Sequence, residues 1–191
     1  MMKIINLKLI FFLAFISLIS CKAQQTYPLN TFMENIPQGG YVKDLNNELP
    51  PYIGTYKAYD QGNEIALFIT KEDNRPTERI GKQFFKDALV IKYIVKNQNN
   101  QVLQDTQNTN YPNIFLYSYA TQPAKNTIIF IYSGTNCGVG WGNIYLKKLN
   151  DTQISWIYRA QSTVITEQNC PGNPDRTVYL PDTKDLIFTK Q

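Results

Sequence analysis

Apolar and polar residues alternate along several short segments of this chain, from residue 52 onward. In residues 88–96, for example, Leu89, Ile91 and Val95 occupy alternate positions and Lys92 lies between them. This period of two is typical of a strand that buries one face and exposes the other. The same pattern predicts strands at 53–59, 64–71, 88–96, 102–103, 115–119, 127–133, 143–149, 153–159, 177–180 and 185–189. No helical period extends beyond a turn or two, so the predicted fold class is all-β.

Turn residues separate the consecutive predicted strands. Asp60-Gln61-Gly62-Asn63 lies between the first two strands, and Asn150-Asp151 lies between two later ones, which favours hairpins. Residues 72–82 are polar and contain Pro76, and we predict a loop there. Hairpins in sequence predict an antiparallel meander that closes into a barrel and so removes its exposed edges, with a β-sandwich as the alternative.

The first twenty residues follow a different pattern. Lys3 and Lys8 accompany an apolar run at 9–16, as in the n-region and h-region of a secretory signal. The apolar stretch is about half of the roughly 20 residues that a transmembrane helix needs. Leu18-Ile19-Ser20-Cys21 resembles the bacterial lipobox. That resemblance implies a lipoprotein signal peptide at 1–20, which is removed, and a lipid anchor of fatty acyl chains such as palmitate on Cys21.

The residues after Cys21 bear on where such a lipoprotein would lie. Lys22 stands where an Asp would retain a lipoprotein in the inner membrane, and no acidic residue precedes Glu34. The resemblance therefore implies the outer membrane, with the protein facing the periplasm. Pro and Gly punctuate residues 21–51, which we interpret as a tether. Residues 52–191 then form a single all-β domain.

Composition and charge exclude several classes of function. The chain of 191 residues has no histidine, which excludes Ser-His-Asp and Cys-His nucleophiles and every histidine-containing metal site. Without Lys3 and Lys8 the formal net charge falls from +4 to +2, so nucleic acid is not an expected partner. We expect no metal and no cofactor.

Carboxylates could support acid–base chemistry without histidine. The candidates share a position in polar turns: Glu72, Asp73, Glu78, Asp182 and Asp185. A solvated surface is the simpler interpretation of such positions. We therefore expect no catalytic residue, and a carboxylate-based hydrolase is the third alternative.

Three cysteines are present, and Cys21 is the one assigned to the anchor. Cys137 and Cys170 remain, and in an oxidising compartment such a pair predicts a disulfide. A two-thiolate metal site is the alternative, but it lacks two further good ligands.

The chain resembles two known families. The lipobox together with 44–49, 52–56, 133–142 and 180–191 looks like an uncharacterised lipoprotein family of the Bacteroidota, a domain of unknown function. This resemblance carries over no catalytic residue. Gly54-x-Tyr56 is similar to the Gly-x-Trp of lipocalin-like (calycin) barrels, with Tyr in place of Trp. It implies that the meander closes as a lipocalin-like barrel.

Two groups of residues are candidates for ligand binding. Gly138 and Gly140 would let the backbone approach a ligand, and Trp141 beside them could stack on a sugar or lipid ring. The alternative is a loop pinned by the disulfide. Tyr93 and Trp156 lie on predicted strands and could line a cavity, or could be plain core. The leading hypothesis is non-catalytic binding of a small apolar ligand or an envelope component, and the alternative is a structural or protein-interaction module of the cell envelope.

Overall fold

A computed structural model describes residues 24–107 and 116–191, so the predicted signal peptide and Cys21 lie outside the described residues. The strands are β1 (Thr26–Pro28), β2 (Tyr41–Lys43), β3 (Gly54–Asp60), β4 (Asn63–Arg79), β5 (Lys82–Lys96), β6 (Val102–Asp105), β7 (Leu116–Gln122), β8 (Thr127–Tyr132), β9 (Gly142–Lys148), β10 (Gln153–Tyr158) and β11 (Leu186–Lys190). Single turns of 3-10 helix are at Met33–Asn35, Pro50–Tyr52, Pro123–Lys125 and Asn136–Gly138. None of the helical turns in the described part of the chain could cross a membrane.

Eight strands form a closed antiparallel barrel. β3, β4, β5, β7, β8, β9, β10 and β11 pair in chain order, and β11 returns to pair with β3. Between β5 and β7 the ring is joined at Val90 and Tyr117. The predicted all-β class and the antiparallel meander that closes as a barrel are therefore confirmed, and the sandwich alternative is wrong.

Three strands lie outside the ring. β2 and β6 pair with β5 directly, and β1 pairs with β2. β2 pairs in parallel with the start of β5, at Tyr41–Phe85 and Val42–Lys86, and β1 adds to β2. β6 pairs with the end of β5. Along one edge, the 15 residues of β5 pair with β2, β7 and β6. Little of that edge is therefore left exposed.

The expected tether at 21–51 differs from the structure in its described part. From β1 onward this segment packs on the barrel, and Leu29, Ile36, Val42 and Leu49 are all 4% exposed or less. Asp44 shapes one bend, because its carboxylate accepts hydrogen bonds from the backbone of Glu48 at 2.8 Å and of Leu49 at 3.1 Å. Proline and glycine here set bends in a docked chain, while spaced apolar side chains supply the burial. We call residues 24–51 the N-terminal segment.

Two secondary-structure predictions are wrong. Residues 72–82 form the outer part of a β4–β5 hairpin, with a bulge between Glu72 and Arg75 and the turn at Ile80-Gly81. Both faces of this extension are largely polar, so it lacks the alternation that identifies a half-buried strand. Residues 177–180 form no strand, although Leu180 is buried.

Aromatic side chains fill the barrel. The largest fully buried ones are Trp156, Tyr56, Tyr93, Tyr132, Tyr158, Phe130 and Phe188. Tyr132 and Tyr158 meet edge to face with ring centres 5.8 Å apart. At the strand that begins the ring, Lys190 crosses Gly54 and its Nζ lies 5.7 Å from the centre of the Tyr56 ring. Gly54 has a φ of +147°, which L side chains rarely adopt, and a Cβ there would also displace the end of the Lys190 side chain. The backbone conformation therefore explains the glycine of the Gly-x-Tyr motif.

Candidate functional site

Tyr93 and Trp156 lie in the filled barrel core. Both are 0% exposed. The Tyr93 hydroxyl lies 2.8 Å from Gln104 Oε1, and Trp156 Nε1 donates to the Pro181 carbonyl at 2.9 Å. Their polar atoms are thus satisfied within the protein, and a ligand could reach neither residue without repacking the interior.

The loop at 134–142, which contains Gly138 and Gly140, is held against the rest of the protein by several contacts. Cys137 and Cys170 form the disulfide that the sequence predicts. The Gly138 carbonyl accepts a hydrogen bond from Thr163 Oγ1 at 2.7 Å. Gly140 has a φ of +76°, and a Cβ there would lie 2.5 Å from Val178 Cγ2. The close approach at Gly140 is therefore to the protein itself. Trp141 remains 52% exposed at the edge of this loop.

Most of the candidate carboxylates have local partners. The pairs are Glu72 with Arg75 at 3.0 Å, Asp73 with Lys71 at 2.7 Å, Asp182 with Arg159 at 3.3 Å and Asp185 with Ser155 at 2.8 Å. No group of three or more acidic or cysteine side chains in residues 24–107 and 116–191 could hold a metal ion. These pairs are arranged as surface contacts rather than as two carboxyl groups facing a cleft.

A lateral cleft of about 340 Å³ lies against the outside of the barrel. The N-terminal segment forms one wall with Leu29, Met33 and Ile36, and the β4–β5 extension and the outer faces of β7 and β8 form the others. Ile131 shows that the cleft lies on the outer side of the barrel, because it lines the cleft and alternates along β8 with the core residue Phe130. The sequence pattern does not predict this cleft, because two of its walls lie in the predicted tether and the predicted loop.

Four cations lie on the face of the β4–β5 extension that contributes to the lateral cleft. The register places Arg75 opposite Lys86 and Arg79 opposite Lys82, and directly opposed residues share a face. Lys82 is held by three carbonyls of the N-terminal segment, at 3.1 to 3.2 Å. Arg75 is held by Glu72 and lies 4.7 Å from the centre of the Tyr117 ring.

The other two cations, Lys86 and Arg79, meet at Tyr119. Lys86 Nζ donates to the Tyr119 carbonyl, and the Arg79 guanidinium carbon lies 5.2 Å from the centre of the Tyr119 ring. Among the described residues, neither cation forms an ion pair with a carboxylate. Burial, with a smaller contribution from Arg79, lowers the pKa of Lys86 to about 8.

Comparison with known proteins places the chain in one family. The family of unknown function DUF6705 matches residues 2–191. The chain belongs to this family. No curated protein matches it. No solved structure matches it either. Membership of DUF6705 therefore assigns no residue a role.

In this DUF6705 protein one buried carboxylate positions the β4–β5 extension. Asp87 is 1% exposed and accepts hydrogen bonds from the Tyr41 hydroxyl and from the backbone N–H groups of Asp44 and Asn74, both at 3.0 Å. Lys71 Nζ lies 3.9 Å away. Burial alone would raise the pKa of Asp87, but these hydrogen bonds outweigh it and hold the pKa below its ordinary value. Asp87 thus ties β2, the bulge of β4 and β5 together behind the cleft.

The lateral cleft combines an apolar wall with two cations that lack a carboxylate partner among the described residues. Such a site can bind and orient a ligand. One signal in the sequence could have pointed to it. Phe84, Lys86 and Ala88 alternate on the outer face of β5, and two apolar residues around a lysine indicate that something covers this face.

Proposed function

We propose that this protein is a lipid-anchored lipoprotein of the Bacteroidota outer membrane, facing the periplasm, and that it binds a small apolar ligand in the lateral cleft without catalysis. The observation that carries the proposal is the cleft itself. Its volume of about 340 Å³ falls within the 300–1,000 Å³ typical of small-molecule sites, and such sites are mostly apolar. Among the described residues, buried aromatic side chains fill the barrel interior, so the proposed site moves from the barrel mouth to its side.

The proposed anchor would bring the lateral cleft close to the membrane. Five residue steps separate Cys21 from Thr26, where β1 begins, and five steps span at most about 18 Å. The cleft wall then starts at Leu29, only three residues further on. A ligand supplied by the bilayer would therefore have a short path to the site. Two or more acyl chains would be needed for stable anchoring.

Native mass spectrometry tests the proposed binding. The mature domain with Cys21→Ser is purified from the periplasm of its own host, and a reproducible added mass that organic extraction removes is the expected result. Ala120 lines the cleft, and Ala120→Trp should abolish the added mass by filling the site. Ala124→Trp is the matched control, because Ala124 lies four residues away on an exposed turn. A bare polypeptide mass, two hydrogens light for the disulfide, would rule out the proposed ligand.

An interaction module of the envelope is the second candidate, and one observation favours it. Trp141 is 52% exposed and its Nε1 lies 3.4 Å from the Ser162 carbonyl. Val164, two residues after Ser162, is 82% exposed. Trp141 thus contacts a chain segment that exposes an aliphatic side chain two residues further on, and exposed aromatic and aliphatic residues are typical of a contact surface. Crosslinking in intact cells from a photoreactive group at Val164 should then capture one reproducible partner, and capture that is unchanged in Trp141→Ala would count against this candidate.

A further inference from the structure

We propose that the lateral cleft takes an amphipathic monoanion, with its acid group between Lys86 and Arg79 and its apolar body against the N-terminal segment. This inference rests on the proposed function and deepens it, because it names the chemical class of the ligand. The occupant is a free small-molecule carboxylate of the fatty-acid type.

The two cations are placed to share one anionic group. Lys86 donates to the backbone of Tyr119, and Arg79 stacks on the ring of the same residue. An ammonium has three donors and a guanidinium has five, so both cations retain donors after these contacts. A carboxylate between them would form charge-assisted hydrogen bonds, which are roughly twice as strong as neutral ones.

The charge balance of the cleft favours an anion. A half-buried cation without a counter-charge is unfavourable, since burial removes water that the protein does not replace. Arg75 already has Glu72, and Lys82 has three carbonyls. The half-buried charge without a carboxylate partner is therefore that of Lys86, while the exposed Arg79 adds a second positive charge at the same residue, Tyr119. Glu78 also lines the cleft. However, it alternates with Arg79 along β4, so its side chain points to the opposite face of the hairpin.

The remainder of the lateral cleft suits an unbranched apolar body. Leu29, Met33, Ile36 and Phe84 line it, and none of them brings a polar side-chain atom. Lys82 fixes the carbonyls of Met33 and Ile36 against the hairpin, so this wall is in place before a ligand arrives. A preformed wall lowers the entropic cost of binding. Phe32 stands at the rim, 73% exposed, where it can cover the end of a bound chain.

Two probes of equal chain length separate the acid group from the apolar body. Binding of decanoate and of decanol to the delipidated mature protein (Cys21→Ser) is measured by titration calorimetry at pH 7. Decanoate should bind at least ten times more tightly than decanol. Lys86→Met keeps the length of the side chain and removes its charge. It should therefore weaken the affinity for decanoate at least tenfold and leave the affinity for decanol unchanged.

Lys92→Met is the matched control, because Lys92 also lies on β5 and donates to a backbone carbonyl, that of Gln107, at 2.9 Å. It should change neither affinity. A thermal melt of each variant shows whether it is folded. Equal affinities for the two probes, or a decanoate affinity unchanged in Lys86→Met, would overturn the inference and leave the proposed apolar binding intact.

The natural ligand provides an independent outcome. An adduct extracted from the native protein that carries no acidic group would also overturn the inference alone. A bare native mass together with no binding of either probe would overturn both the inference and the proposed function. An extracted carboxylic acid whose retention requires Lys86 would support both.

Discussion

Lys86 should destabilise the ligand-free protein, and this follows from the same geometry that suits it to an anion. Its ammonium is half-buried against apolar residues, and no described carboxylate pairs with it. The groups that face it are Arg75 and Arg79 on β4 and Tyr117 and Tyr119 on β7, none of which carries negative charge at neutral pH. Lys86→Met should therefore stabilise the protein at pH 7.

The size of this effect comes from the pKa of Lys86. Burial, and secondarily Arg79, lower that pKa from 10.5 to about 8, and each pKa unit corresponds to about 1.4 kcal/mol. Keeping Lys86 charged in the folded protein thus costs at most about 3 kcal/mol at pH 7. Loss of the hydrogen bond from the charged ammonium to the Tyr119 carbonyl offsets about 2 kcal/mol. We expect Lys86→Met to raise the free energy of unfolding by about 1 kcal/mol.

The stability difference between Lys86→Met and wild type should depend on pH in one direction. Between pH 8 and 10.5 the unfolded chain keeps the proton on Lys86 and the folded protein releases it, so the Lys86 contribution makes wild-type stability rise with pH across this window. The charging cost is constant below about pH 8 and falls below about 1 kcal/mol by pH 10. The advantage of Lys86→Met should therefore be largest at pH 7 and shrink towards pH 10.

Urea unfolding, followed by tryptophan fluorescence at pH 7 and pH 10, measures both quantities. Wild type, Lys86→Met and the control Lys92→Met are compared at each pH, so that titrations common to all three cancel. If Lys86→Met is no more stable than wild type at pH 7, the charged Lys86 does not destabilise the folded protein. If the stability gain of Lys86→Met is the same at pH 7 and pH 10, the gain does not come from the charge of Lys86.

Three further predictions concern stability. Replacing Cys137 and Cys170 by serine opens a loop of 33 residues and should cost roughly 3–4 kcal/mol in urea unfolding; no loss would mean that the loop is held by other contacts. Gly140→Ala should cost more than about 1 kcal/mol, and more than Gly172→Ala, which shares the positive φ but has open space around its Cβ; equal melting temperatures would refute the close approach. Asp87→Asn should cost roughly 2–4 kcal/mol at pH 7. Because the folded pKa of Asp87 is lowered, its contribution is present above the unfolded pKa and lost as pH falls through the folded one, so acid should destabilise wild type more than Asp87→Asn.

The barrel could be predicted from the sequence because its strands each bury one face. β5 shows this directly, since Leu89, Ile91 and Val95 point into the core and Lys92 points out. The turn at Asn150-Asp151 likewise follows from local residue preferences. These signals depend only on neighbours along the chain, and so a single sequence contains them.

The lateral cleft could not be predicted in the same way, because its parts are distant in sequence. The N-terminal segment has irregular backbone with prolines and glycines, and its docking depends on side chains such as Leu29 and Ile36 meeting the outer face of the barrel. The β4 side of the extension, residues 72–79, contains no buried residue, so alternation does not reveal it as a strand. The sequence instead indicates Trp141 as a binding residue, because tryptophan is often found at binding sites. Lys86 and Arg79 look like ordinary surface cations.

A filled barrel changes where a ligand of this fold can bind. To admit a ligand, the interior would have to displace side chains such as Trp156 or Phe130, and emptying the space of one large aromatic costs roughly 3–5 kcal/mol. The lateral cleft carries no such cost, because the N-terminal segment already holds it open through Lys82 and Asp87 lies behind it. The same segment would lead directly to the proposed anchor at Cys21. Binding and membrane attachment would then share one piece of the chain, so the docked segment that walls the cleft would also set how the barrel stands on the membrane.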